Sequence, residues 1–141
     1  MRSADHARIG AVVGAIAVPL LARGRSLPAK LALWCYGVLA SVFVDLDHFA
    51  VARLRTGDWS HLRRAIGHPI WAFTRQEEVF PDVEITVDRL ISHVLVTALL
   101  VVALRRFSRT LAAFTAVVLP AHILADLVYE AGLVRRELQP E

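Results

Sequence analysis

LALWCYGVLASVFVDLDH (residues 31–48) decides how the chain reads: fourteen residues almost without a polar group run straight into two carboxylates and an imidazole. An apolar run of that kind is the body of a bilayer helix, and Asp45, Asp47 and His48 fall where the helix should meet the surface. A charge near the middle of such a helix costs ~2.5–3.5 kcal/mol on insertion scales, so ionisable clusters in spans mark functional sites. Asp and His also belong to the ligand set of zinc and similar divalent ions.

Three further apolar runs share this character, from Ile9 to Ala22, Leu90 to Leu104 and Leu111 to Tyr129. The hydrophobic fraction is 56%, above the ~45–50% of soluble domains. With 141 residues, this predicts one all-α, membrane-embedded domain over 1–141, a polytopic bundle of about four transmembrane helices. A soluble bundle of unusually apolar helices is the competing architecture. Each run needs about a turn from its flanks to reach the ~20 residues of a span. The helices are then expected at about 29–50, 89–104 and 109–133, with the first run bent or ended by Pro19 and the last interrupted by Pro120. Ser108 is placed to cap the fourth. Trp34 and Tyr36 are candidate interfacial anchors. Gly10 and Gly14 have the Gly-xxx-Gly spacing that admits a close neighbour. Residues 19–23 make a poor signal-peptidase site, so the first run is expected to remain as a span.

Between the second and third spans, residues 51–88 are polar, mixed in charge and dotted with aromatics. Arg53, Arg55, Arg63 and Arg64 precede Glu77, Glu78, Asp82, Glu84 and Asp88. A stretch this long and this aromatic predicts an ordered cap with one or two short helices. His61 and His68 belong to it, with surface or capping roles.

The formal charge is +3, from 16 basic and 13 acidic residues. Every basic residue except Lys30 is Arg, clustered at helix ends as expected for lipid headgroups. The pattern is not that of a nucleic-acid binder. The single cysteine, Cys35, excludes an internal disulfide and any multi-Cys metal site. The chain is expected to be an integral protein of the plasma membrane, partnered by the lipid bilayer. The connections between spans 1–2 and 3–4 carry three basic residues each, against ten in the N-terminus, cap and C-terminus. Charge counting therefore pulls in both directions and does not choose a side.

In up-and-down order, alternate helices run in opposite directions. His6 before the first span, Asp45–His48 ending the second, Asp88 and His93 opening the third and Asp126 late in the fourth then all reach one side. Asp45 and His48 are i,i+3 and can face one point, whereas Asp47 is rotated away, to bind a second ion or orient a ligand. His122 and Asp126 are i,i+4 on one stripe. Asp88 and His93, five apart, share a face only if that helix starts irregularly. His6, Asp45, Asp47, His48, Asp88, His93, His122 and Asp126 suffice for one or two divalent ions, zinc above all.

These motifs resemble the YdjM-like family of membrane-bound, metal-dependent hydrolases. His6 with Gly10 is similar to that family's N-terminal His before a Gly-containing helix. Asp45-Leu46-Asp47-His48 matches its D-x-D-H, and His122-Ile123-Leu124-Ala125-Asp126 its H-x-x-x-D. Asp88-Arg89-Leu90-Ile91-Ser92-His93 resembles its H-R-x-x-[ST]-H, with Asp88 where the family has His. The resemblance implies a membrane-bound, metal-dependent hydrolase, whose metal-activated water would attack an ester or phosphoester; the location of the site at the interface points to a lipid-like or membrane-delivered substrate. Asp47 and Arg89 are then the candidate catalytic groups, Arg89, Arg53 or Arg55 holding an anionic group such as phosphate. A non-catalytic bundle, with the Asp/His cluster as a structural lock and the cap as a partner-binding surface, is the alternative. An ion or proton carrier is the third reading, disfavoured because the ligands gather at one end.

Overall fold

The computed structural model describes residues 3–75, 78–81, 83 and 85–137, with side chains as far as residue 132. Glu77, Asp82 and Glu84, assigned above to the acidic part of the cap, lie outside the described residues. Among the described residues seven α-helices follow in order: α1 (Ser3–Leu21), α2 (Leu27–Phe43), α3 (Asp47–Thr56), α4 (Ser60–Gly67), α5 (Pro69–Thr74), α6 (Thr86–Arg105) and α7 (Arg109–Glu137). No strand occurs among the described residues. Four stretches are long and apolar enough to cross a membrane: Ser3–Leu21, Leu27–Thr56, Thr86–Arg105 and Arg109–Gly132.

The second of these is not one smooth helix. A 3-10 turn, Val44–Leu46, separates α2 from α3 within the acidic cluster. At three residues per turn it stacks positions three apart, which sharpens the expected pairing of Asp45 with His48. Gly57 ends α3 with φ 85°, the left-handed conformation an L side chain resists, and its amide bonds back to the Arg53 carbonyl at 2.9 Å. Pro19 stands inside α1, only two residues before its end, and α7 continues through Pro120. The Ser108 hydroxyl accepts the Leu111 amide at 3.2 Å, so the expected cap on α7 is present.

α7 is the centre of the bundle: α1, α2 and α6 all pack on it, α1 also packs on α2, and α3 on α6. Small residues set the crossings. A Cβ on Gly10 would lie 2.8 Å from the Gly37 carbonyl, and one on Gly37 2.8 Å from the Phe114 ring, so α1, α2 and α7 meet backbone to side chain. Ala17, Val18, Ala22, Phe114 and Val118 form the buried apolar core. The Trp34 indole donates to the Ala11 carbonyl at 2.9 Å, and the Tyr36 hydroxyl donates to Thr115 at 2.7 Å, whose own hydroxyl donates to the Leu111 carbonyl. These polar tips find partners on neighbouring helices and so tie the helices together.

The outward faces are apolar, with Leu99 71% and Val102 65% exposed on α6 and Val12 61% on α1. Water penalises contiguous surface of this kind, and lipid tails do not. The cap comprises α4 and α5, the expected one or two short helices, beside the α2–α3 corner.

Candidate metal centre

All four spans deliver an ionisable side chain to one end of the bundle. His6 comes from α1, Asp45 from the 3-10 turn, His48 from α3, His93 from α6, and His122 and Asp126 from α7. Each of the six is less than a tenth exposed. Burying this many ionisable groups is costly unless charge is matched at short range by partners or by a bound cation.

Their polar atoms form two groups that meet at Asp45. In the first, His6 Nε2 lies 3.5 Å from Asp45 Oδ2 and 3.6 Å from Asp126 Oδ1. On the other side His122 Nε2 lies 3.4 Å from Asp45 Oδ1 and 3.5 Å from Asp126 Oδ2. The two rings stack with centroids 4.0 Å apart. In the second group, His93 Nε2 lies 3.2 Å from Asp45 Oδ1 and 3.3 Å from His48 Nε2, which is itself 3.7 Å from Asp45 Oδ1. Each group offers ligand atoms all within 4.8 Å of one another. Asp45 therefore turns one oxygen toward His6 and the other toward the remaining three imidazoles.

These spacings discriminate between uses of the same residues. Charge-assisted N–H···O bonds run ~2.7–2.9 Å. Two ligand atoms bound tetrahedrally at ~2.0–2.2 Å from one zinc ion lie about 3.3–3.5 Å apart. The N···O separations of the first group, in which the two rings face different oxygens of each carboxylate, fall at 3.4–3.6 Å, longer than such bonds, and one ligand atom from each residue lies within 4.8 Å of the others. His122 is fully buried, and among the described residues its ring nitrogens make no hydrogen bond of good geometry, only the 3.4–3.5 Å approaches to Asp45 and Asp126. The residues thus fit a divalent metal ion, and the buried His/Asp cluster can hold one.

Asp47 does the orienting that its rotation away from Asp45 suggested. Its Oδ2 accepts from His93 Nδ1 at 2.7 Å and from the Ser92 hydroxyl at 2.6 Å. With Nδ1 donating to Asp47, a neutral His93 ring would offer its Nε2 as the ligand atom to a metal held beside Asp45 and His48. Asp47 Oδ1 is also 3.7 Å from His48 Nε2.

Asp88 is placed differently from its expectation as a ligand. It joins neither group among the described residues, and its Oδ2 accepts from Arg55 Nε at 2.7 Å. α6 is regular from Thr86, and at about 100° per residue a five-residue offset turns Asp88 well away from His93. The position where the family has His thus forms a partly exposed ion pair between α6 and α3. Arg89 donates from Nη2 to Glu130 on α7 at 2.6 Å, while its buried Nε makes no hydrogen bond. Arg53 lies over the Trp59 ring. His61 packs on Phe80, and His68 is exposed, in keeping with roles outside the cluster.

Glu130 is a contributor the sequence reading did not single out, although it follows Asp126 by one turn on the same stripe of α7; Ser92 stood there only as the Ser/Thr position beside His93, without the role of holding Asp47.

Fold and site together define a class: an all-α bundle with four membrane-length helices and a buried His/Asp cluster able to hold metal. No family model matches the chain, and no curated protein or solved structure is significantly similar to it.

Proposed function

We propose that this protein is a membrane-embedded, metal-dependent hydrolase of the YdjM-like kind, resident in the plasma membrane. The observation that carries the reading is the buried convergence of His6, Asp45, His122 and Asp126, which bring one ligand atom each to within 4.8 Å of one another. The ligands stand at the positions of the family's N-terminal His, its D-x-D-H, the His ending its third motif and its H-x-x-x-D. In this reading His6, Asp45, His122 and Asp126 would hold one zinc-like ion, and Asp45, His48 and His93 a second. Ions so held supply Lewis acidity, lowering the pKa of a coordinated water toward ~7 and polarising an ester or phosphoester oxygen.

The chain's own residues set up that chemistry. Asp47 fixes the His93 tautomer, and Ser92 in turn holds Asp47. Glu130 steadies Arg89, whose Nε keeps a donor for an anionic oxygen of the substrate. Asp88 and Arg55 brace α6 against α3 beside the cluster. The site's place at one end of the spans suits a substrate delivered by the membrane.

The test is metal analysis of purified protein beside an Asp45→Ala, His122→Ala double variant, with hydrolysis of ester and phosphoester lipids measured in mixed micelles. Bound zinc in the wild type, lost together with hydrolysis in the double variant, is the expected result. Equal and negligible metal in both overturns the reading.

A further inference from the structure

A cavity of about 260 Å³ lies between the cap and the α2–α3 corner. Twelve of its fourteen lining residues are apolar, and the two exceptions are Asp45 and His48. Its wall passes from exposed residues, Ile66 at 71% and Leu46 at 52%, to Ala65 and Val79, which are buried together with Asp45 and His48. The space thus runs from the surface of the bundle to the second group of candidate ligands. Phe80 stands at its inner end, edge-on to the His48 ring at 6.1 Å and against Phe49 at 5.2 Å.

We propose that this cavity holds one hydrocarbon chain of the lipid substrate and so presents the adjoining ester or phosphoester to Asp45 and His48. The proposal rests on the hydrolase reading above and names its substrate class. Three observations select the occupant. The lining offers no polar partner except at its inner end, so water and polar ligands gain nothing along its length. Its rim includes exposed hydrophobic surface within the membrane-length segment Leu27–Thr56, where lipid chains are the apolar molecules at hand. Its volume is below the ~300–1,000 Å³ of sites for whole drug-sized ligands, so it suits a chain segment. α4 also exposes Arg63 and Arg64, which favours an anionic headgroup. Leu62, Ala65, Ala72 and Phe80 become specificity-determining residues: the cap gauges the chain while the bundle holds the chemistry.

The probe is phosphatidylglycerol with a diazirine on one acyl chain close to the ester, carried in phosphatidylcholine nanodiscs with the full-length protein. After irradiation, peptide mass spectrometry should place cross-links in residues 60–80 and near the α2–α3 corner. Ala65→Trp and Ala72→Trp, each filling the space from a different helix, should cut those cross-links about tenfold while leaving bound zinc unchanged. Cross-links confined to outward residues such as Leu95 and Leu99, or undiminished in both filled variants, overturn the proposal. Cap cross-links in a protein that binds no zinc would support the chain site and remove the hydrolase reading. Zinc binding without cap cross-links would do the reverse.

Discussion

Replacing Asp45 by Asn probes the point where the two ligand groups meet. Its carboxylate faces His6 through one oxygen and His48, His93 and His122 through the other, at 3.2–3.7 Å. Asn keeps the shape and removes the anionic donor, so both ions lose a ligand in a single substitution. Apparent zinc affinities of ~10–16 kcal/mol from four ligands amount to about 3 kcal/mol per ligand, or roughly 100-fold in affinity. His122→Ala should weaken only the first site by that factor, and His48→Ala only the second. The assay is chelator competition with metal content read by mass spectrometry, at a free zinc level between the wild-type and weakened affinities. Wild type should hold about two equivalents, each single-site variant about one and Asp45→Asn less than about half of one. Folding is checked separately by helical circular dichroism, because removing one partner of a buried ionic cluster is itself destabilising. Asp45→Asn holding as much zinc as His48→Ala, or more, would refute the bridging role.

Other outcomes follow from the same geometry. Asp47→Asn, which weakens the acceptor of His93 Nδ1, should keep the zinc stoichiometry while lowering affinity ~10–100-fold in the same competition assay. Gly37→Ala puts a Cβ 2.8 Å from the Phe114 ring and should cost ~1–3 kcal/mol in thermal unfolding. Gly132→Ala, with nothing within 4 Å, should be neutral or stabilising by up to ~1 kcal/mol. In the cap, hydrogen bonds from the Ser60 hydroxyl and amide hold the Asp58 carboxyl below the usual carboxylate range. A lowered pKa contributes stability above the ordinary value and loses it as pH falls through the lowered one. Amide exchange at the start of α4 should therefore speed up, relative to chemical exchange, only below about pH 4. Asp58→Ala should remove that acid-side step.

What the sequence by itself determined was the helical class, the four membrane-length stretches and the gathering of the Asp/His residues at one end. These depend on local properties: runs of apolar side chains, 3.6-residue periodicity and the alternation of helix direction. The i,i+3 pairing of Asp45 with His48 and the i,i+4 pairing of His122 with Asp126 were legible for the same reason. Tertiary structure decided the rest. Asp88 turned to Arg55 because a regular α6 points it away from His93, and a helix start cannot be placed to the residue from pattern alone. Asp47 reached His93 Nδ1 because a 3-10 turn interrupts the second span, a local change that the apolar run does not announce. Trp34 and Tyr36 turned inward because α1 and α7 come close enough to offer acceptors. That closeness is set by Gly10, Gly37 and Phe114 meeting from three different helices. The cavity leading to His48 is likewise a property of how the cap lies on the bundle, since residues distant in sequence enclose it and no single stretch describes it.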